Sequence, residues 1–311
     1  MLPGIKGGAK SGTARQAALR EGGRVMTICN ACRYCEGYCA VFPAMEHRIT
    51  FQPDDLEYLA NLCHNCAECY DACQYAPPHE FAVDVPRAFA EIRRHSYLRL
   101  PVGLAAAISV ATFLAVAAVE GMIGHSTMVA VFGTAAVFVL AAGMIPLRLR
   151  KRAVLDALTL RYMNPEHDKR RGFYHHWAFY GFLLCFAATS VAAFYHYFLH
   201  YRAPYPILSA PVILGTMGGA GLLAGTAGMY VLRRDYSDTG FIALLFFTSL
   251  TGFLVLALRE TPALRWLLAI HLGVALALFA TMPYGKFVHG FHRLRALARY
   301  HRERALPTSE S

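Results

Sequence analysis

Apolar residues are distributed unevenly along this chain. Up to Leu98 they recur singly or in short clusters among polar and charged positions, and beyond it they gather into long runs. Six such runs, at 101–119, 127–147, 173–199, 207–232, 240–258 and 264–284, each approach the ~20 residues that cross a bilayer core as a helix. In the polar part, Pro53-Asp54-Asp55 opens the run LEYLANL, and Asp84-Val85-Pro86 opens PRAFAEIRRHSYL. Both are helix-start patterns. Period-two alternation is weak there. The pattern predicts an all-α chain: a small helical domain over 27–99, then a six-helix transmembrane bundle over 100–285. Residues 1–26 carry Gly-Gly pairs, Ser, Lys and Arg without the apolar segment or cleavage site of a secretory signal, and are expected to form a flexible tail. Residues 286–311 are expected to form a basic cytoplasmic tail.

Composition agrees with a membrane protein. Hydrophobic residues make up 56% of the 311 positions and charged ones 16%, against about a half and a quarter in a soluble domain. A purely soluble enzyme is excluded. The net charge of +10 would suit a nucleic-acid partner, but most Lys and Arg lie just outside the apolar runs, where basic residues fix orientation. Counted over the connections, one side carries twenty and the other three, namely Arg202, Arg259 and Arg265. The bias predicts both termini and the polar domain in the cytoplasm.

Eight of the nine cysteines fall between Cys29 and Cys73. Cys29, Cys32, Cys35 and Cys39 are spaced C-x2-C-x2-C-x3-C, and Cys63, Cys66, Cys69 and Cys73 repeat that spacing. Three thiolates on consecutive short loops grip three corners of an iron–sulfur cube, and in two-cluster ferredoxins the fourth cysteine ligates the other cluster. Two [4Fe-4S] clusters are therefore expected, on Cys29, Cys32, Cys35 with Cys73 and on Cys63, Cys66, Cys69 with Cys39. Disulfides fit a reducing compartment poorly, and zinc sites use two pairs of ligands instead of two fourfold runs. Cys185, inside the third run, reads as an ordinary small core residue.

Ionisable side chains inside a spanning helix are costly and mark function. Spans three and six carry His175, His176, His196 and His271, with His289 just beyond the bilayer edge. These spans are three crossings apart and run antiparallel, so the start of one lies level with the end of the other. His289 then matches His176, or His175, in depth on the cytoplasmic side, and His271 matches His196 on the far side. Imidazoles facing each other across a bundle suit b-type haem, and one haem or two are expected. Helical phase leaves the span-three ligand open: His271 and His289 are separated by whole turns, whereas His176 and His196 fall far out of phase and His175 and His196 less so. The bland reading of each histidine is an interfacial side chain reaching the headgroups. Gly215, Gly218, Gly219, Gly221, Gly225 and Gly228 in span four read as a close-packing surface between helices, with room for a flat macrocycle as the alternative. No nucleotide-binding GxGxxG turn, P-loop or nucleophile triad is present, so the chain has no flavin site of its own.

The strings CNACRYCEGYCAVFPAME and CHNCAECYDACQYAPPHEFAVDVP, followed by six spans, resemble the tricarballylate-utilisation protein B (TcuB/CitB) family over essentially the whole chain from Cys29. The cysteine part is also similar to the helical ferredoxin domain of heterodisulfide-reductase and fumarate-reductase iron–sulfur subunits. The strings RGFYHHWAFYGF and HLGVALALFATMPYGKFVH resemble the b-haem segments of the nitrate reductase gamma family. In that pattern the first helix carries two histidines; His176 matches the first, and Phe186 stands at the second, which leaves His196 to serve. The resemblance implies an electron conduit in the bacterial inner membrane. A separate cytoplasmic FAD-dependent dehydrogenase would oxidise tricarballylate, and this chain would reoxidise its flavin and deliver the electrons to quinone. Two rivals stand beside it: one keeps the chemistry and changes the partner, as a membrane subunit of another dehydrogenase or of a heterodisulfide-reductase-like complex, and the other is a redox-sensing or transport protein whose clusters only report. Spans without a charged residue at mid-membrane argue against an ion or solute path.

Overall fold

The structure, a computed structural model, describes residues 7–96, 102–120, 130–134, 151–161, 169–233, 239–284 and 287–305. Among them there are helices and no strand, so the all-α expectation holds. In chain order they are α1 (Gly7–Cys32), α2 (Val41–Glu46), α3 (Pro53–Leu62), α4 (Glu68–Asp71), α5 (Val85–Ser96), α6 (Val102–Glu120), α7 (Lys151–Leu158), α8 (Lys169–Tyr197), α9 (Ala210–Val231), α10 (Thr239–Ala257), α11 (Leu264–Thr281) and α12 (Phe287–Glu303). The chain divides into two compact units.

The first unit comprises Met1–Arg99, Pro146–Gly172 and Phe287–Ser311. Its core gathers Val25 and Met26 of α1, Phe42 of α2, Leu59 of α3, Phe89 and Ile92 of α5, and Leu297 and Tyr300 of α12. Each fully buried side chain of this size contributes roughly 1.5–3 kcal/mol. Pro53 at the first turn of α3 loses no hydrogen bond, and Asp54 and Asp55 beside it suit the positive end of the helix. In α5 the stripe Val85, Ala88, Phe89 and Ile92 is buried, with the buried Arg93 donating to the Ala60 carbonyl at the end of α3.

Two boundaries expected from sequence are corrected here. Of the flexible tail expected over 1–26, residues 7–26 are instead part of α1, because Ala18, Val25 and Met26 are buried and hold the helix against α5; residues 1–6 lie outside the described residues. The described part of the tail expected over 286–311, residues 287–305, is not a separate basic arm. Its α12 packs on α3 and α7, burying Arg293, Ala296, Leu297, Ala298 and Tyr300, with Arg299 in ion pairs to Asp55 and Glu303.

The second unit comprises Leu100–Ile145 and Phe173–Lys286. Among the described residues, four helices are long and apolar enough to cross a membrane: Arg170–Tyr197, Ala210–Val231, Thr239–Ala257 and one within Leu264–Glu303. They make this a membrane protein. The first expected span corresponds to α6, whose apolar stretch Ala105–Ala118 is shorter; of the second, at 127–147, only 130–134 is described, and the rest lies outside the described residues. Large apolar side chains such as Leu183, Phe186, Phe194 and Met217 are exposed on α8 and α9, as a lipid-facing surface requires.

The span-four glycines act as a packing face. A Cβ on Gly225 would lie 2.3 Å from the Ala178 nitrogen, one on Gly218 2.7 Å from the Cys185 nitrogen, and one on Gly181 2.6 Å from the Leu222 nitrogen. The backbones of α8 and α9 therefore touch, which leaves no room between them for a macrocycle.

Candidate functional site

The C-terminal end of α1 carries Cys29 and Cys32 one turn apart, on one face. The helix stops at Arg33, whose φ of 56° is left-handed, and the chain then turns back through Cys35 and Cys39. The second run starts where α3 ends, with Cys63 in extended conformation. Asn65 (φ 59°) and Ala67 (φ 68°) are left-handed, and α4 then carries Cys69. Three non-glycine residues in this sparsely populated region, all between cysteines, are strain of the kind that clusters at functional sites. The turns wrap the sulfurs around two cavities.

The first cavity is lined by Cys29, Cys32, Cys35, Cys69 and Cys73 among Ile28, Tyr34, Phe42, Gln74, Tyr75, Val83 and Val85. The second is lined by Cys39, Cys63, Cys66 and Cys69 together with Tyr38, His64, Glu68 and Val85. Cys69, Phe42 and Val85 belong to both walls. The second cavity thus meets three cysteines of the second run and the last of the first, and the first cavity meets three cysteines of the first run together with Cys69 and Cys73 of the second. All nine cysteines are free thiols.

Burial, with the charge of neighbouring thiols added, pushes the Cys29 thiol up to about 12 and the Cys35 thiol up to about 11. Cys39, Cys66 and Cys69 are raised for the same first reason. Such thiols stay protonated at neutral pH unless a cation replaces the proton. Among the described residues no three His, Cys, Asp or Glu side chains converge as the ligands of a single ion would. A [4Fe-4S] cube, with iron at alternate corners and sulfide at the others, spreads its ligands wider than one ion does, and the cysteine sulfurs lining each cavity fit that group. The Asn65 amide donates to the Cys63 sulfur at 3.3 Å, and the Gln74 side chain reaches the Cys32 sulfur at 3.9 Å. Donors to the sulfurs are among the groups that set cluster potentials.

The histidines fall into different surroundings. His289, on α12 in the first unit, holds its Nε2 3.2 Å from the Cys63 carbonyl oxygen, against which it donates. His175 and His176 on α8 are half-buried, the latter ring 6.1 Å from that of Tyr180. His196, also half-buried, packs edge-on against Tyr197. His271 on α11 places Nδ1 3.0 Å from the Thr251 hydroxyl of α10. That hydroxyl gives its hydrogen to the Phe247 carbonyl at 2.7 Å and so accepts from Nδ1–H. The Nε2 lone pair of His271 is left for a metal. Gly252 adds space, since a Cβ there would come within 3.3 Å of the His271 ring. For haem, His271 is the position where the tautomer fits an axial ligand.

Sequence reasoning did not single out His64, Glu68, Arg171 or Arg293, although all four stand at the second cavity or its cysteines. The spacing of Arg293 four residues after His289, in phase with Leu297 and Tyr300, is the one sequence signal that sets it apart from the other basic residues of the tail.

These features define a class: an all-helical membrane protein with a ferredoxin-like domain suited to iron–sulfur electron transfer. The family model described as citrate utilization protein B matches residues 140–310, and that of the citrate utilization protein B Fer4-like domain matches residues 22–99. The citrate utilization protein B of Escherichia coli is 44% identical, over 89% of this chain and 90% of that protein. The chain belongs to the citrate utilization protein B family. No solved structure matches it.

Proposed function

We propose that this chain is a membrane-anchored electron carrier of the bacterial inner membrane, with both termini cytoplasmic. It takes electrons from the reduced FAD of a cytoplasmic partner dehydrogenase and passes them to the quinone pool. The observation that carries the reading is the pair of cavities, which share the wall at Cys69 and in which three cysteines of each run meet the last cysteine of the other.

When bound, two [4Fe-4S] clusters and a b-type haem supply one-electron steps between a flavin that gives up two electrons and two protons and a quinone that takes up the same. The chain's own residues do the rest. Cys29, Cys32, Cys35 and Cys73 would hold one cluster, and Cys63, Cys66, Cys69 and Cys39 the other. Phe42, Val85 and Cys69 keep the two sites adjacent and dry. His271, oriented by Thr251, would hold the haem iron, with His196 as its partner on the far side. A near-side haem would be held by His176, or His175, with His289, whose Nε2 would have to leave the Cys63 carbonyl. The family resemblance favours tricarballylate as the partner's substrate; the name of the Escherichia coli relative refers to citrate.

The test is an assay of purified full-length protein for iron, acid-labile sulfide and haem, with a reduced-minus-oxidised optical spectrum and quinone reduction driven by a reduced flavoprotein. About eight irons per chain and a b-type spectrum reoxidised by quinone are expected. Protein lacking iron and sulfide would overturn the proposal.

A further inference from the structure

A third cavity lies in the first unit, where α7 packs on α12, and no cysteine lines it. It is roomier than either cysteine-lined one. Arg152, Leu155, Asp156 and Thr159 recur at steps of three and four residues, so one face of α7 and its C-terminal end make one wall. Leu160, with a left-handed φ of 50°, then turns the chain back, and the Arg161 amide donates to the Asp156 carbonyl at 3.2 Å. That turn adds the Arg161 side chain to the wall. From α12 and the residue after it come His301 and Arg304.

The wall is cationic. Its one acid, Asp156, is buried and engaged at both carboxylate oxygens: His301 Nε2 donates to Oδ2 at 2.8 Å, and the Arg161 guanidinium stands 3.5 Å from Oδ1. Asp156 thereby braces two of the side chains that face the cavity. Arg152 and Arg304 have no carboxylate partner among the described residues; Arg304 donates to the Tyr300 hydroxyl at 3.2 Å. Three guanidiniums against one carboxylate leave a positive excess even with His301 neutral. Guanidinium forks match phosphate oxygens two at a time. Beside these charges Leu155, in the wall, is 58% exposed, and Leu158, one turn on, is 47% exposed. A free inorganic anion has no use for that apolar edge, whereas an amphiphile with a charged head does. In sequence, α7 begins four residues after the apolar run at 127–147, so this membrane protein carries the site close along the chain to a segment fit for a bilayer.

The geometry points to a binding site for a phosphate-bearing anion in the cavity between α7 and α12, supplied by the headgroup of an anionic phospholipid. The phosphate meets Arg152, Arg161 and Arg304, and the acyl chains leave over Leu155 and Leu158. Binding there ties α7 to α12, whose other face packs into the core of the cysteine domain. None of these residues is assigned to a cluster or a haem, so the site is independent of the electron-transfer reading.

The experiment titrates full-length detergent-purified protein with phosphatidylglycerol, with zwitterionic phosphatidylcholine or with sodium phosphate, at one ionic strength. The thermal midpoint is followed, since a ligand that binds only the folded form raises it with concentration. Phosphatidylglycerol should raise it more than either of the others. In the double variant Arg152→Gln, Arg161→Gln the apparent affinity for phosphatidylglycerol should fall about thirtyfold. The control Arg20→Gln, Arg87→Gln removes the same charge from exposed positions outside the cavity and should respond as wild type does. If the double variant fails to fold, Arg152→Gln decides alone, because that side chain has no ion pair to lose, and about a fivefold weakening is expected. Equal midpoints with the two lipids, an equal loss in the control, or an unchanged response in the deciding variant overturns the site. A sodium phosphate response as large as that to phosphatidylglycerol overturns the lipid as its source.

Discussion

Glu303, in the last helix, lies 2.7 Å from the guanidinium of Arg48, 255 positions earlier in the chain. The same guanidinium reaches Asp55 at 2.8 Å, and Arg299 bridges Asp55 and Glu303 from the α12 side at 3.1 and 2.8 Å. Tyr58 lies under both arginines and donates its hydroxyl to Glu303. This network fastens α12 to α3, the helix that ends at Cys63. With the Arg48 side chain only 8% exposed, removing one partner leaves a charge stranded where water cannot reach it.

Arg48→Met should therefore loosen α12 from the cysteine domain, at a cost of ~3–5 kcal/mol for breaking a buried pair. Burial works against the charged forms of Asp55 and Glu303, but hydrogen bonds and charge from Arg48 and Arg299 outweigh it and hold both carboxyls below their ordinary values. A depressed folded value means the contribution is fully present above about pH 4.3, the ordinary glutamate value, and is lost as pH falls through the folded values. Hydrogen exchange over 287–303, corrected for intrinsic rate, should rise in wild-type protein through that acid window. In Glu303→Gln it should be raised at pH 7 already. Identical protection in both proteins at pH 7 would refute the clamp.

Much of this arrangement was legible in the chain because thiol spacing is a local property. Two runs of C-x2-C-x2-C-x3-C specify what each loop can grip, and the helix starts at Pro53 and Pro86 needed no tertiary information. The ends of the chain were not legible for the same physical reason in both cases. Their burial depends on partners far away in sequence: Val25 and Met26 meet α5 residues such as Phe89, and Leu297 and Tyr300 enter the core of a domain formed by the first hundred residues. Charge counting read α12 as a tail, since it contains Arg293, Arg295, Arg299 and Arg302, and a count cannot distinguish a buried arginine from a solvated one. The histidines were ambiguous because depth and phase fix neither tautomer nor partner.

The interlocked cavities make a sharper test than loss of a first cysteine. Cys73→Ser should abolish the cluster of the first run, and Cys39→Ser that of the second, each leaving about four of eight irons. Iron analysis and paramagnetic resonance on the same samples decide it. If Cys73→Ser removes the signal also lost in Cys63→Ser, each run holds its own cluster and the crossed assignment is wrong.

Packing between α8 and α9 gives a graded prediction from steric distance. Gly225→Ala puts a methyl 2.3 Å from a backbone nitrogen, so the helices must separate, at ~1–3 kcal/mol or more. Gly215→Ala meets only the Ala188 Cβ at 3.6 Å, an ordinary contact. Thermal unfolding in detergent should show a lowered midpoint for the first and none for the second. Equal midpoints would mean that the two helices do not touch as described.

The haem assignment stands or falls on His271. With Nδ1 held by Thr251, its Nε2 carries the lone pair that an axial ligand needs, and His271→Ala should remove the haem while sparing the cluster signals, which reside on other residues in the other unit. Thr251→Val should be milder, since the imidazole remains but its orientation and basicity lose their support; removal of such a supporting bond typically costs 10–100-fold in metal affinity. His289→Ala serves as the contrast. Its Nε2 is bonded to the Cys63 carbonyl, so its loss should disturb the second cluster and leave haem content near wild type. Haem content assayed by the pyridine haemochrome method, alongside the reduced-minus-oxidised spectrum, separates these outcomes. Full haem in His271→Ala would make that histidine a helix-packing residue bonded to Thr251, and loss of haem in His289→Ala would restore the near-side site with His176 or His175 as its partner.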